Sequence, residues 1–188
     1  MIKIYIDQGH NPRDFNTGAE GNGFYEQDIT YTVGILLANL LSANPEFEVR
    51  LSRPTPETLL GTSNSSSLTA RVRDANSWGA DVFVSLHTNA APNSSASGSE
   101  ALIYSRASTV ALGLAEDILK RLNQATGLRN RGVIERPGLY VLKRTAMPAV
   151  LVEMGFITNR YDAELMAYSP ELFAEGIYRG ILEYYNLL

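Results

Sequence analysis

His10 and His87 are the only imidazoles in this chain of 188 residues. Each follows a short apolar run, Ile4-Tyr5-Ile6-Asp7-Gln8-Gly9-His10 and Val82-Phe83-Val84-Ser85-Leu86-His87. Runs of this kind read as strands, which places both histidines at strand C-terminal ends. In open α/β sheets, ligands and chemistry collect at that edge. Cysteine is absent, so disulfides, thiolate nucleophiles and Cys-containing zinc sites are excluded. No Gly-x-Ser-x-Gly elbow and no His-Glu-x-x-His helix occurs, which removes the usual settings of a serine triad and of a helical zinc site. What this inventory can build is two imidazoles and a carboxylate around Zn2+, with one coordination position left for water.

Three acidic residues compete for the remaining roles. Glu26 opens a helix in Gly23-Phe24-Tyr25-Glu26-Gln27-Asp28, where the helix dipole favours a carboxylate. Glu20, in Gly18-Ala19-Glu20-Gly21, is the alternative from the preceding loop. Glu153 follows Ala149-Val150-Leu151-Val152, a run that reads as a buried strand. A glutamate closing such a strand needs a partner, for instance a water held by a cation. Taken singly, each histidine fits a turn residue bonded to backbone. Taken with Glu153 on a third strand end, they point to one site.

The elements that must position these residues alternate between strand and helix. Strands are expected at 2–7, 47–51, 81–87, 100–104 and 149–154, with another at 132–135 or 139–142. Helices are expected at 26–42, 70–78 and 109–124, and from Pro170 to about Tyr185, the last with Ser169 as its cap. The Gly/Asn-rich stretch 9–23, the Pro/Ser-rich stretch 54–67 and the stretch 90–98 read as loops. Strands alternating with helices and no internal repeat define one α/β layer domain.

The residues resemble a known family, the zinc-dependent N-acetylmuramoyl-L-alanine amidases of type 3, which act in bacterial cell-wall turnover. The resemblance rests on Ile6-Asp7-Gln8-Gly9-His10, Gly23 to Asp28, Leu51-Ser52-Arg53, Leu68-Thr69-Ala70-Arg71 with Ala75-Asn76, Val84 to Ala90, Gly98-Ser99-Glu100 and Pro148 to Asn159. It implies a mixed, mostly parallel sheet of about six strands with helices on both faces, and residues 1–188 as one catalytic domain without a separate wall-binding module. It implies that His10, Glu26 and His87 ligate Zn2+, that Glu153 is the catalytic carboxylate, and that the substrate is the muramoyl–alanine amide of peptidoglycan. Asn89 and Glu100 are then candidates for orienting the site. Gln8 departs from the family's more usual residue at that position. No segment is long enough to be the inhibitory helical insertion that some members carry, so an open cleft is expected.

Bulk properties fit that expectation. Hydrophobic residues make up 45% and charged residues 19%, values of a globular chain. A net charge of -4 offers no footprint for nucleic acid. No apolar stretch approaches the roughly 18 residues of a membrane span. Met1 leads directly into a strand, with no secretory signal visible. Action outside the cytoplasm, at the wall or in the periplasm, then follows from the resemblance alone, and a monomer is the default. Of the tyrosines, Tyr178, Tyr184 and Tyr185 read as core packing rather than sugar stacking, and Arg129, Arg131 and Arg136 read as surface charge. Competing functions are a zinc peptidase cutting within the stem peptide, a wall-binding module without activity and a structural metal site.

Overall fold

Helices cover both faces of the central sheet, and this explains why its inner strands are almost continuously apolar. The computed structural model describes residues 1–188. The order is β1 (Ile2–Gln8), β2 (Glu20–Gly21), β3 (Phe24–Tyr25), α1 (Glu26–Ser42), β4 (Phe47–Leu51), α2 (Asn64–Trp78) and β5 (Val82–Asn89), followed by β6 (Ser99–Ile103), α3 (Thr109–Thr126), β7 (Asn130–Glu135), α4 (Tyr140–Arg144), β8 (Ala149–Phe156), α5 (Arg160–Tyr168) and α6 (Pro170–Tyr184). Six strands form one sheet in the order β4-β1-β5-β8-β6-β7, and β2 and β3 pair as a separate hairpin. Only β6 with β8 is antiparallel within the large sheet. A single α/β domain with a mixed, mostly parallel six-stranded sheet is the architecture expected.

Alternation along the strands divides the core in two. Ile4, Ile6, Val84, Leu86, Val150 and Val152 face α1, α3, α5 and α6 in the larger cluster. Tyr5, Phe83, Leu102 and Leu151 face α2 and α4 in the smaller one, where Tyr5 and Phe83 stack at 5.5 Å. Tyr178, Tyr184 and Tyr185 pack against the larger cluster, as expected.

Several boundaries differ from the sequence expectation for identifiable reasons. The serines before residue 70 are a helix start, not a loop. Ser63 Oγ accepts the Ser66 N–H at 3.2 Å, and Ser66 Oγ accepts the Ser63 N–H at 2.9 Å, a capping box built from serines. The stretch 139–142 enters the short helix α4, and β7 supplies the strand instead. Helix α5 and the β2–β3 hairpin fall where no element was expected. Pro170 does open α6, but Ser169 makes no side-chain cap there. Its N–H closes α5 on Leu165 O, and its backbone (φ -136, ψ 51) is not the extended form a cap uses.

Helices α3 and α6 cross closely because α6 presents Gly176 and Gly180 to its neighbour. A Cβ on Gly180 would lie 2.4 Å from Ile118 Cα, and one on Gly176 would lie 2.7 Å from Leu122 Cα. Both obstacles are backbone, so the helices must part to admit a methyl group. Gly180→Ala is expected to destabilise the fold by about 1–3 kcal/mol through overpacking, despite alanine's better helix propensity. Urea denaturation with the m-value held constant checks it.

Candidate metal centre

The site forms at the edge where β1, β5 and β8 end. His10 lies two residues beyond β1, and His87 and Glu153 lie within β5 and β8, which run on to Asn89 and Phe156. None of the three is a terminal strand residue, as the apolar runs had implied. Parallel pairing sets His87 directly beside Glu153, and antiparallel pairing sets Glu153 directly beside Glu100. The histidines therefore share an edge with two adjacent carboxylates.

A glycine and an arginine prepare the position of His10. A Cβ on Gly9 would lie 2.5 Å from Leu86 O and 2.6 Å from His87 Cε1, so only glycine lets the turn approach β5 so closely. His10 itself has φ 71, an uncommon backbone for a residue with a side chain. Arg71 of α2 holds that turn from below. Its Nη2 donates to His10 O at 2.6 Å, and its Nη1 donates to Gln8 O and to Asp7 Oδ1, both at 2.6 Å. Arg71 and Asp7 are each about 1% exposed, and Ser85 Oγ donates to the second Asp7 oxygen at 2.7 Å. Burial alone would raise the Asp7 carboxyl. The charge and hydrogen bond of Arg71, with Ser85, outweigh it and hold the group below its usual 3.8.

His10 Nδ1 lies 3.1 Å from Asn16 Oδ1, and Asn16 Nδ2 donates to Ser67 Oγ. An amide oxygen at Nδ1 selects the tautomer that leaves Nε2 with a free lone pair. That Nε2 lies 3.2 Å from Glu26 Oε1, and His87 Nδ1 lies 3.1 Å from the same oxygen. The Thr88 N–H donates to Glu26 Oε1 at 2.9 Å, and the Ala19 N–H donates to Oε2 at 2.8 Å. Burial opposes the charge of Glu26, but the bonds and charges of both histidines prevail and keep the carboxyl far below the usual range. A Cβ on Gly18 would lie 2.8 Å from both Glu26 Oε2 and the His10 ring. The loop closes over the cluster only because a glycine stands there.

One donor atom from each of His10, Glu26 and His87 lies within 4.8 Å of the others. Glu20 sits in the exposed hairpin strand β2 and takes no part in this cluster. Two imidazoles and one carboxylate are a donor set suited to zinc. Glu153 supplies a second sign of fit. Its Oε2 is buried with no hydrogen-bond partner, and burial, then the charges of Glu26 and Glu100, push its carboxyl up to about 8. An orphaned buried carboxylate oxygen is costly unless something completes it.

Sequence reasoning set Asn89 and Glu100 beside the site but missed the arginine that joins them. Its Oε1 accepts from Asn89 Nδ2 at 2.8 Å and its Oε2 accepts from Arg131 Nε at 3.1 Å. Arg131 was read as surface charge. It is instead an ion-pair partner next to the site, lying 4.9 Å over the Phe156 ring. Arg129 donates no side-chain bond of this kind, and Arg136 reaches only the neighbouring Glu135 carbonyl.

A mixed α/β sheet with a His-Glu-His cluster and a bare carboxylate at one edge defines a class of candidate metal-dependent hydrolases. Residues 4–183 match the family described as N-acetylmuramoyl-L-alanine amidase, and the chain belongs to that family. It is 36% identical over 190 residues to the amidase CwlM of Bacillus licheniformis, covering 100% of this chain and 70% of that one. It is 37% identical to the amidase LytC of Bacillus subtilis, but spans only 35% of LytC's length. Among solved structures, the catalytic domain of CwlV from Bacillus (Paenibacillus) polymyxa var. colistinus matches with a TM-score of 0.87 and 32% identity, with full coverage of both chains. An amidase of Clostridium difficile 630 matches with a TM-score of 0.88 and 31% identity, over 98% of this chain and 97% of that one.

Arg71→Met strips the buried Asp7 of its cation and releases the His10 turn. The expected cost is about 3–5 kcal/mol at neutral pH. The sign follows from the direction of the Asp7 shift. In the parent a depressed folded value means that its contribution is complete above the unfolded value and fades as pH falls through the folded one. In the variant, burial without Arg71 raises the group, so protonation relieves the strain. The gap in urea midpoints between parent and variant should therefore narrow as pH falls below about 4, without closing, because the bonds to Gln8 O and His10 O are lost at every pH.

Proposed function

We propose that this chain hydrolyses the amide between N-acetylmuramic acid and L-alanine in peptidoglycan, with Zn2+ held by His10, Glu26 and His87 and with Glu153 as general base and acid. The observation that carries the reading is the Glu153 carboxylate, whose buried Oε2 has no protein partner while its cross-strand neighbour is His87. Family membership supplies the substrate class, and the relatives named as cell-wall amidases support it.

Zinc, when bound, acidifies a water molecule and polarises the amide carbonyl. The chain's own residues supply the rest. Asn16 fixes the His10 ring so that Nε2 faces inward, and the Thr88 and Ala19 N–H groups hold Glu26 as an anion. Glu153 Oε2 accepts the proton that the attacking water loses as its oxygen bonds to the carbonyl carbon. The same carboxyl then gives that proton to the alanine nitrogen as the C–N bond breaks. With both imidazoles engaged by the cluster, no third histidine is available for proton transfer.

Every group in this scheme comes from one chain, which favours a monomer as the working unit. On this reading residues 1–188 contain the catalytic unit, and its substrate places its work in the cell wall, outside the cytoplasm. No helix is long and apolar enough to cross a membrane.

Glu153→Gln is expected to lower kcat by about 10²–10⁴ while zinc stoichiometry is retained, whereas His10→Ala loses the metal as well. Mass spectrometry of digested muropeptides separates the substrate bonds. Sugar strands free of peptide, together with peptides beginning at L-alanine, support the amidase. Shortened stems still attached to muramic acid indicate the stem-peptide peptidase instead.

A further inference from the structure

Antiparallel pairing of β6 with β8 sets two carboxylates side by side, Glu100 opposite Glu153. Directly opposed side chains in such a pair have Cβ atoms roughly 5 Å apart, so the two carboxylates are near neighbours. The two acids are treated in opposite ways. Both oxygens of Glu100 are bonded, one to Asn89 Nδ2 and the other to Arg131 Nε, whereas Glu153 Oε2 has no partner. Arg131 is also fixed along its length. Its guanidinium lies over the Phe156 ring at the end of β8, and its Nη1 reaches Ser97 O at 3.4 Å.

We infer that Glu100 is a positioning residue that engages Asn89 and Arg131 and so keeps them from pairing with Glu153. The inference rests on the proton-transfer role proposed for Glu153. A carboxylate that must accept a proton from water and release it to an amine works poorly when an arginine is bound to it. A guanidinium bond occupies the oxygen that water needs. Arg131 comes from β7, two strands from β8 in the sheet order, yet its stacking on Phe156 brings its head to β8. Without Glu100, Glu153 is the neighbouring carboxylate left without a partner. Glu100 is thus the group that determines which of two adjacent acids stays bare.

The test is a double-mutant cycle on the zinc-loaded protein with solubilised muropeptide as substrate. Glu100→Ala frees Arg131, and kcat is expected to fall about tenfold or more while KM changes less than about twofold. Adding Arg131→Met removes the competing cation but keeps an apolar stem against Phe156. The double variant is expected to recover most of the lost kcat, although it carries more changes. A purely structural role for Glu100 predicts instead that kcat tracks the thermal melts and zinc content, because an unpaired Arg131 costs stability that the second substitution returns. Thermal melts and zinc content accompany each variant, and Glu100→Gln replaces Glu100→Ala if the latter does not fold.

An unchanged kcat in the single variant overturns the inference. So does a double variant no better than the single one, or a loss that follows zinc content. Glu153→Gln, assayed alongside, separates the role of Glu100 from that of Glu153. If it is inactive while the cycle fails, only the role of Glu100 is lost. If it is active, the proton-transfer reading fails first.

Discussion

Three carboxylates, Glu26, Glu153 and Glu100, meet at one sheet edge, and the fold must neutralise two of them while leaving the third bare. Glu26 accepts from two backbone N–H groups and lies against two imidazole nitrogens. Glu100 has an amide and a guanidinium. Glu153 has neither at Oε2. Buried anions of like sign repel and resist losing water, so this unequal distribution of donors is a structural requirement as well as a chemical one. Several of these groups come from elements far away in sequence, His87 and Thr88 for Glu26 and Arg131 for Glu100.

That dependence explains the otherwise separate features of the molecule. The turn at His10 is held by Arg71, which belongs to α2, and α2 is anchored by its serine capping box and by the smaller core. The ring of His10 is oriented by Asn16, itself held by Ser67 of the same helix. Glycines at 9 and 18 let two loops close around the rings, where any side chain would strike His87, His10 or Glu26. The site is therefore supported mainly from the α2 face, and the larger core under α1, α3 and α6 keeps the strands in register.

The parts of this arrangement that were legible in sequence were those carried by short range signals. The apolar runs before His10 and His87 and before Glu153 identified three inner strands, and the first-turn position of Glu26 marked it as a dipole-favoured carboxylate. Helical periodicity placed α1 and α3 nearly to the residue. Cross-strand consequences were not legible. Nothing in Gly98-Ser99-Glu100 or Arg129-Asn130-Arg131 says that these chains lie next to each other and to β8, so Arg131 read as surface charge. The serine run before residue 70 was ambiguous because the same residues serve loops and helix caps. That Glu20 lies exposed in the hairpin, apart from the His10–Glu26–His87 cluster, was carried by no short-range signal either.

Anomalous diffraction at the zinc edge, from crystals of the zinc-loaded protein, tests whether His10, Glu26 and His87 hold a metal next to the bare Glu153. One zinc per chain is expected, bound by these three side chains, with a water as further ligand within hydrogen-bond reach of Glu153 Oε2. Zinc bound elsewhere, bound by Glu20, or closed off by a fourth protein ligand would contradict it.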